Sequence, residues 1–153
     1  MRIWHKNLIV VLPEKQLIAQ WRELCCIVKN ISDKGTPNHL LVNKVLQYPM
    51  SHLIYYTDIV LYEMRKRNYN ISEGSYLKYV SNLNDSKDKF NNDGIPCLTF
   101  DDLFKGWHNE RYMRQCFYNL QEKYDCGGIK RCEYIDVLDA FTNDAVTTKK
   151  EVI

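Results

Sequence analysis

The chain has 153 residues, 45% of them hydrophobic and 26% charged, with a formal net charge of +2. That length suits one domain with a sizeable core, and so small a charge cannot hold a nucleic acid by bulk attraction; an anionic partner needs a local cluster of cations. No apolar run approaches the roughly 20 residues of a membrane span, and the run Leu8 to Leu12 is too short for the core of a signal peptide, so the chain reads as cytoplasmic with no membrane partner.

The predicted elements are helical throughout. Pro13 and Glu14 suit the start of a helix, where a missing N–H costs nothing and a carboxylate meets the positive end of the dipole. Leu17, Ile18, Trp21, Leu24, Cys25 and Val28 then repeat at helical spacing as one buried stripe. Gln16, Gln20 and Glu23 line one flank of that stripe, and Arg22 lies beyond the other. Glu23 is thus placed at the core's edge, facing a cleft. The segment SDKGTPN, residues 32–38, is loop chemistry, with Lys34 inside it and His39 directly after it.

A short helix is expected from Leu40 to Leu46, stopped before Pro49. A second strong helix carries Leu53, Tyr56, Val60, Leu61 and Met64 on one face and ends in Arg65-Lys66-Arg67, a triplet that suits either helix termination or phosphate contact. Residues 81–96 are polar and read as a long surface loop. Thr99 suits the cap of a short helix through Phe104. Tyr112, Cys116, Tyr118, Leu120 and Tyr124 mark a third long helix closed by Gly127-Gly128, and a final helix runs from about residue 132 to residue 141, before a frayed tail at 143–153. The expected fold is all-α, a compact single-domain bundle over 1–153 with about three long helices plus short ones.

Six cysteines in a reducing compartment read as free thiols, buried ones above all. Neither Cys25-Cys26 nor the Cys126–Cys132 spacing suits structural zinc, so no metal is expected. Glycine loops for phosphate, nucleophile elbows and zinc-binding histidine pairs are absent. His5, His52 and His108 read as structural, and the aromatics as mostly core.

What remains is the opening stretch. An α-amino group has a reference pKa near about 7.8 against about 10.4 for lysine, so its uncharged, nucleophilic fraction at neutral pH is roughly 400-fold larger. Such an amine can attack a sugar's anomeric carbon to form an imine, a nearby carboxylate can shuttle protons, and arginines can clamp phosphates. Arg2, Arg22 and Glu23 are the residue types that this chemistry needs.

The segment QLIAQWREL, residues 16–24, resembles the phage endonuclease V family, the pyrimidine-dimer DNA glycosylases. Leu17, Ala19, Arg22, Glu23 and Leu24 match, and Trp21 stands where the family has tyrosine. Arg2-Ile3 is similar to the Arg-Ile pair after the family's catalytic amino terminus, and bacterial chains opening MR[IL]WH are commonly grouped there. Weaker likeness follows through SHLIYY, MRKRNYNI, His108 and NLQEK. The resemblance implies a helical fold with the amino terminus threaded between helices, and a glycosylase with abasic-site lyase activity on damaged double-stranded DNA, needing no cofactor. Carried over, Met1 supplies the catalytic amine and Glu23 the carboxylate, with Arg2 and Arg22 as phosphate clamps. Gln16, Lys34, His39, Arg65, Lys66 and Arg67 complete the candidate DNA contacts. The chain departs from the family pattern where Met1 replaces a small residue exposed by methionine removal. Further departures are Cys26 in place of a basic residue, Gln16 in place of a histidine, and TTKKEVI in place of an aromatic-rich end. Two alternatives stand beside this reading: a non-enzymatic helical module that binds nucleic acid or protein on the same scaffold, and the same amine chemistry on another modified base.

Overall fold

α1 (Glu14–Lys34) begins behind Pro13 and stops at Gly35, whose φ of 80° lets its N–H close on the carbonyl of Ile31. Only glycine takes that left-handed turn without steric cost. The computed structural model describes the backbone of residues 1–151 and the side chains of residues 1–143. α1 buries Leu17, Gln20, Trp21, Leu24, Ile27, Val28 and Ile31. Its stripe is therefore wider than the apolar pattern predicts, and Gln20, expected on the flank, is fully buried.

α2 (Met50–Lys66) lies antiparallel to α1, because Arg67 at its end bonds the carbonyls of Leu12 and Val10 just before α1 begins. α3 (Glu73–Asp85) runs parallel to α1: Trp21 meets Tyr79 at 5.4 Å between ring centroids, and one helical stretch later Ser86 Oγ reaches the Val28 carbonyl at 3.5 Å. α4 (Glu110–Asp125) and α5 (Arg131–Glu151) form an antiparallel pair stitched by stacked rings, Phe117 on Phe141 and Tyr124 on Tyr134, each at 4.1 Å. α1 lacks a side-chain cap of its own; Glu133 of α5 supplies one, its Oε2 accepting from the Glu14 N–H at 2.8 Å. An acceptor there satisfies one of the orphan donors that every helix start exposes.

Several expectations need correction. The loop predicted over 81–96 is helical as far as Asp85 and continues in a short 3₁₀ turn, Lys87–Lys89. Tyr79 and Leu83 bury α3 against its neighbours, and Ser72 caps it by accepting from the Ser75 N–H, so a short apolar face sufficed where the composition looked polar. The short helix before Pro49 is a 3₁₀ turn, Val42–Gln47. No helix forms at Thr99; residues 99–107 are a chain of turns around the fully buried Phe104. The stretch Lys6–Val11 forms an unpredicted 3₁₀ helix. The tail expected to fray falls on the last turns of α5, whose backbone runs to Glu151, while residues 152–153 lie outside the described residues. Of the six free cysteines, Cys97 and Cys116 are buried, Cys25 is half-buried, and Cys26, Cys126 and Cys132 are exposed, so burial does not account for most of them. Among the described residues no strand forms, no helix is long and apolar enough to cross a membrane, and no group of three or more His, Cys, Asp or Glu converges on a metal position.

Candidate active site

Residues 1–5 run extended into the bundle, and an extended segment has no internal partners for its backbone. Side chains from three helices take the place of neighbouring strands. From α1, Glu23 Oε2 accepts the Arg2 N–H at 3.1 Å, and Gln20 donates to the Arg2 carbonyl at 2.8 Å while accepting the Trp4 N–H at 2.9 Å. From α2, the Tyr56 hydroxyl donates to the Trp4 carbonyl at 2.7 Å and shares Gln20 Oε1 at 2.9 Å. From α4, the Tyr112 hydroxyl donates to the Ile3 carbonyl. Just beyond, the Lys6 N–H donates to His108 Nδ1 at 3.0 Å. Ile3, Trp4 and His5 are buried in this seat.

The seat is chemically fixed as well as packed. Burial pushes the Tyr56 and Tyr112 phenols well above their ordinary range, so both remain neutral O–H donors to the amino-terminal segment. Burial, followed by the neighbouring His5 and Lys6, holds His108 well below its usual titration range; its ring stays neutral, and Nδ1 keeps the lone pair that Lys6 needs. His52 is likewise structural, accepting from the Phe104 N–H at 3.0 Å and contacting the Ile95 carbonyl at 2.8 Å. His5, His52 and His108 thus serve the core, as predicted, and His39 is exposed.

Three of the sequence-predicted residues meet here: Met1, Arg2 and Glu23. Met1 is 43% exposed at the mouth of the seat, and Glu23 is half-buried. Adjacent backbone nitrogens are at most about 3.7 Å apart, so the Met1 amine lies within about 7 Å of the Glu23 carboxylate. Among the described residues the ion pairs within 4 Å are Arg67–Glu63 and Arg114–Glu110, and the amine is in neither. A gap of that size admits a carbon centre between nitrogen and carboxylate. The Arg2 guanidinium turns inward, with Nη1 3.8 Å from Cys116 Sγ and Cζ 5.3 Å from the Trp4 ring centroid. Arg22 is exposed beside Glu23, on a groove between α1 and α3 that Lys29 and Lys78 also line.

The other predicted contacts are spread along the molecule. Gln16 sits nearly two turns before Glu23, beside Gly128 and Glu133, with its Oε1 buried and without a partner among the described residues. Lys34, exposed at the end of α1, is roughly 16 Å along the axis from Glu23. Arg65 and Lys66 are exposed at the opposite end, where α2 finishes near the start of α1. Arg67 has another occupation: Nε pairs with the buried Glu63 at 2.9 Å, and its two terminal nitrogens donate to Leu12 and Val10. Its guanidinium is a brace between α2 and the first 3₁₀ helix. Sequence reasoning missed Gln20, Tyr56, Tyr112 and Cys116. Gln20 had a signal, an uncharged polar residue lodged between Leu17, Trp21 and Leu24; the tyrosines had none that separates them from core.

Fold and site together define an all-helical protein that seats its leading backbone edgewise against a glutamate-bearing helix, with arginines on both sides. The family model described as pyrimidine dimer DNA glycosylase matches residues 1–77, and the chain belongs to that family. No curated protein and no solved structure matches it.

Proposed function

We propose that this protein is a DNA glycosylase with abasic-site lyase activity, acting on pyrimidine dimers in double-stranded DNA through the amine of Met1. The amine's lone pair attacks C1′ of the damaged nucleotide, and the bond from C1′ to the base breaks with its electrons leaving on the base. Loss of one amine proton leaves a neutral glycosylamine; the nitrogen lone pair then forms the second bond to C1′ as the C1′–O4′ bond breaks, O4′ takes up a proton, and the opened sugar carries a protonated imine. That cation acidifies the C2′ hydrogen; Glu23 takes it as a proton, and the C3′–oxygen bond breaks to release the 3′ phosphate by β-elimination. Glu23 also steadies the positive charge of the imine. The observation that carries this reading is the 3.1 Å bond from the Arg2 N–H to Glu23, one residue from the amine.

Borohydride trapping tests it. Untagged protein with UV-irradiated or abasic DNA should give a covalent adduct, and Nα-acetylated protein should give none. The absence of an adduct with both substrates at low salt overturns the mechanism.

A further inference from the structure

A cavity of about 250 Å³ lies behind the amino-terminal seat, between the 3₁₀ turn Val42–Gln47 and the start of α4. We infer that it is a phosphate subsite for the damaged strand, formed by Lys44, Arg111 and Trp107. This rests on the DNA reading proposed above.

Three independent features favour an anion there. Lys44 and Arg111 both line the cavity and are both exposed, which gives a net-weakly-charged chain the local cation pair that DNA binding demands. The cavity is also lined by Asn109, Arg111 and Tyr112, the cap and first turn of the 16-residue α4, so the positive end of that helix dipole adds to the same field. Trp107 lines it too and is 4% exposed, yet its Nε1–H has no acceptor among the described residues. An indole N–H can only donate, and folded proteins rarely leave such a donor buried and unpaired. A phosphate oxygen is the acceptor that this donor and two cations jointly suit.

The position links the cavity to the reaction. Tyr112 forms part of its wall, and the same residue's hydroxyl holds the Ile3 carbonyl, two residues from the amine. A phosphate gripped by Lys44 and Arg111 would thus be registered against the backbone that carries the nucleophile. The candidate contacts read from sequence include none of these three residues.

Binding of a UV-irradiated duplex, measured by fluorescence anisotropy between about 50 and 200 mM salt, tests the assignment. Lys44→Ala and Arg111→Ala should each flatten the slope of log affinity against log salt by about 0.9. Lys123→Ala, an exposed cation some 18 Å away at the far end of α4, should leave it unchanged. Trp107→Phe keeps the ring packing but deletes the N–H, and should weaken binding by at least about tenfold at fixed salt; its folding is checked by urea unfolding, and Lys44 and Arg111 carry the test if it fails to fold. Wild-type binding with slopes unaltered in Lys44→Ala and Arg111→Ala overturns the subsite and leaves the glycosylase reading standing. Failure of the wild-type protein to bind DNA overturns both.

Discussion

Gln20→Leu separates a seat that positions the amine from one that merely fills space. Leucine matches glutamine closely in volume, so little cavity arises. The substitution strips partners from the Trp4 N–H and the Arg2 carbonyl, while Tyr56 keeps its bond to the Trp4 carbonyl. An unpaired buried backbone group costs about 1–3 kcal/mol, and the Arg2 carbonyl is only partly buried, giving a loss of roughly 2–5 kcal/mol for the two together. Against a typical stability of about 5–15 kcal/mol the variant still folds. Misplacing a reacting group by about 1 Å can cost on the order of a hundredfold in rate. Urea unfolding should therefore show the stability loss, and borohydride trapping per folded molecule should slow by about that factor. Leu17→Ala is the matched control: it lies fully buried on the same helix, should cost about 2–5 kcal/mol, and should trap normally per folded molecule. Normal trapping by folded Gln20→Leu would refute the reasoning.

Three more outcomes follow from the geometry. Glu23→Gln retains an oxygen for the Arg2 N–H but removes the charge, so stability should shift by less than about 1 kcal/mol while β-elimination slows by at least about a hundredfold, read as strand cleavage of abasic DNA. Arg67→Met strands the buried Glu63 carboxylate and should cost about 3–5 kcal/mol in urea unfolding, with Glu63→Gln in the same chain recovering part of it; the salt slope of DNA binding should stay unchanged. Burial, His5 and Lys6 together depress His108, so below the unfolded value of 6.5 the unfolded chain binds the proton that the folded chain refuses. Stability conferred by the neutral ring is complete above pH 7 and should fall on acidification by up to about 1.4 kcal/mol per pH unit, a slope that His108→Gln removes. A flat profile from pH 7 to 5 would contradict that assignment.

The long helices were legible because their apolar residues repeat with the helical period and their ends carry proline or glycine. α1, α2 and α4 all follow that logic. α3 was hidden because a helix lying on a neighbour needs few buried residues; Tyr76, Tyr79, Val80 and Leu83 held the spacing, but the asparagines and aspartates after them read as loop. Arg2 and Glu23 were legible as residue types, through likeness to a family. The scaffold that joins them was not, since Ile3 and Tyr112 are 109 positions apart and no local pattern announces a phenol that will hold a backbone carbonyl. Arg67 misled for the opposite reason: a basic helix end suggests phosphate, yet carbonyls of a neighbouring segment satisfy the same guanidinium.

The amino-terminal segment's dependence on α4 sets an order of assembly. The niche of residues 1–6 includes Tyr112 and His108, more than a hundred positions further along the chain, so the seat closes only after those residues have been made. Residues 1–77, the portion shared with the family, hold Gln20, Glu23 and Tyr56 but not the wall that closes over Ile3. Cutting the molecule there would remove one side of the amino-terminal seat, so the smallest unit that keeps the seat whole includes α4.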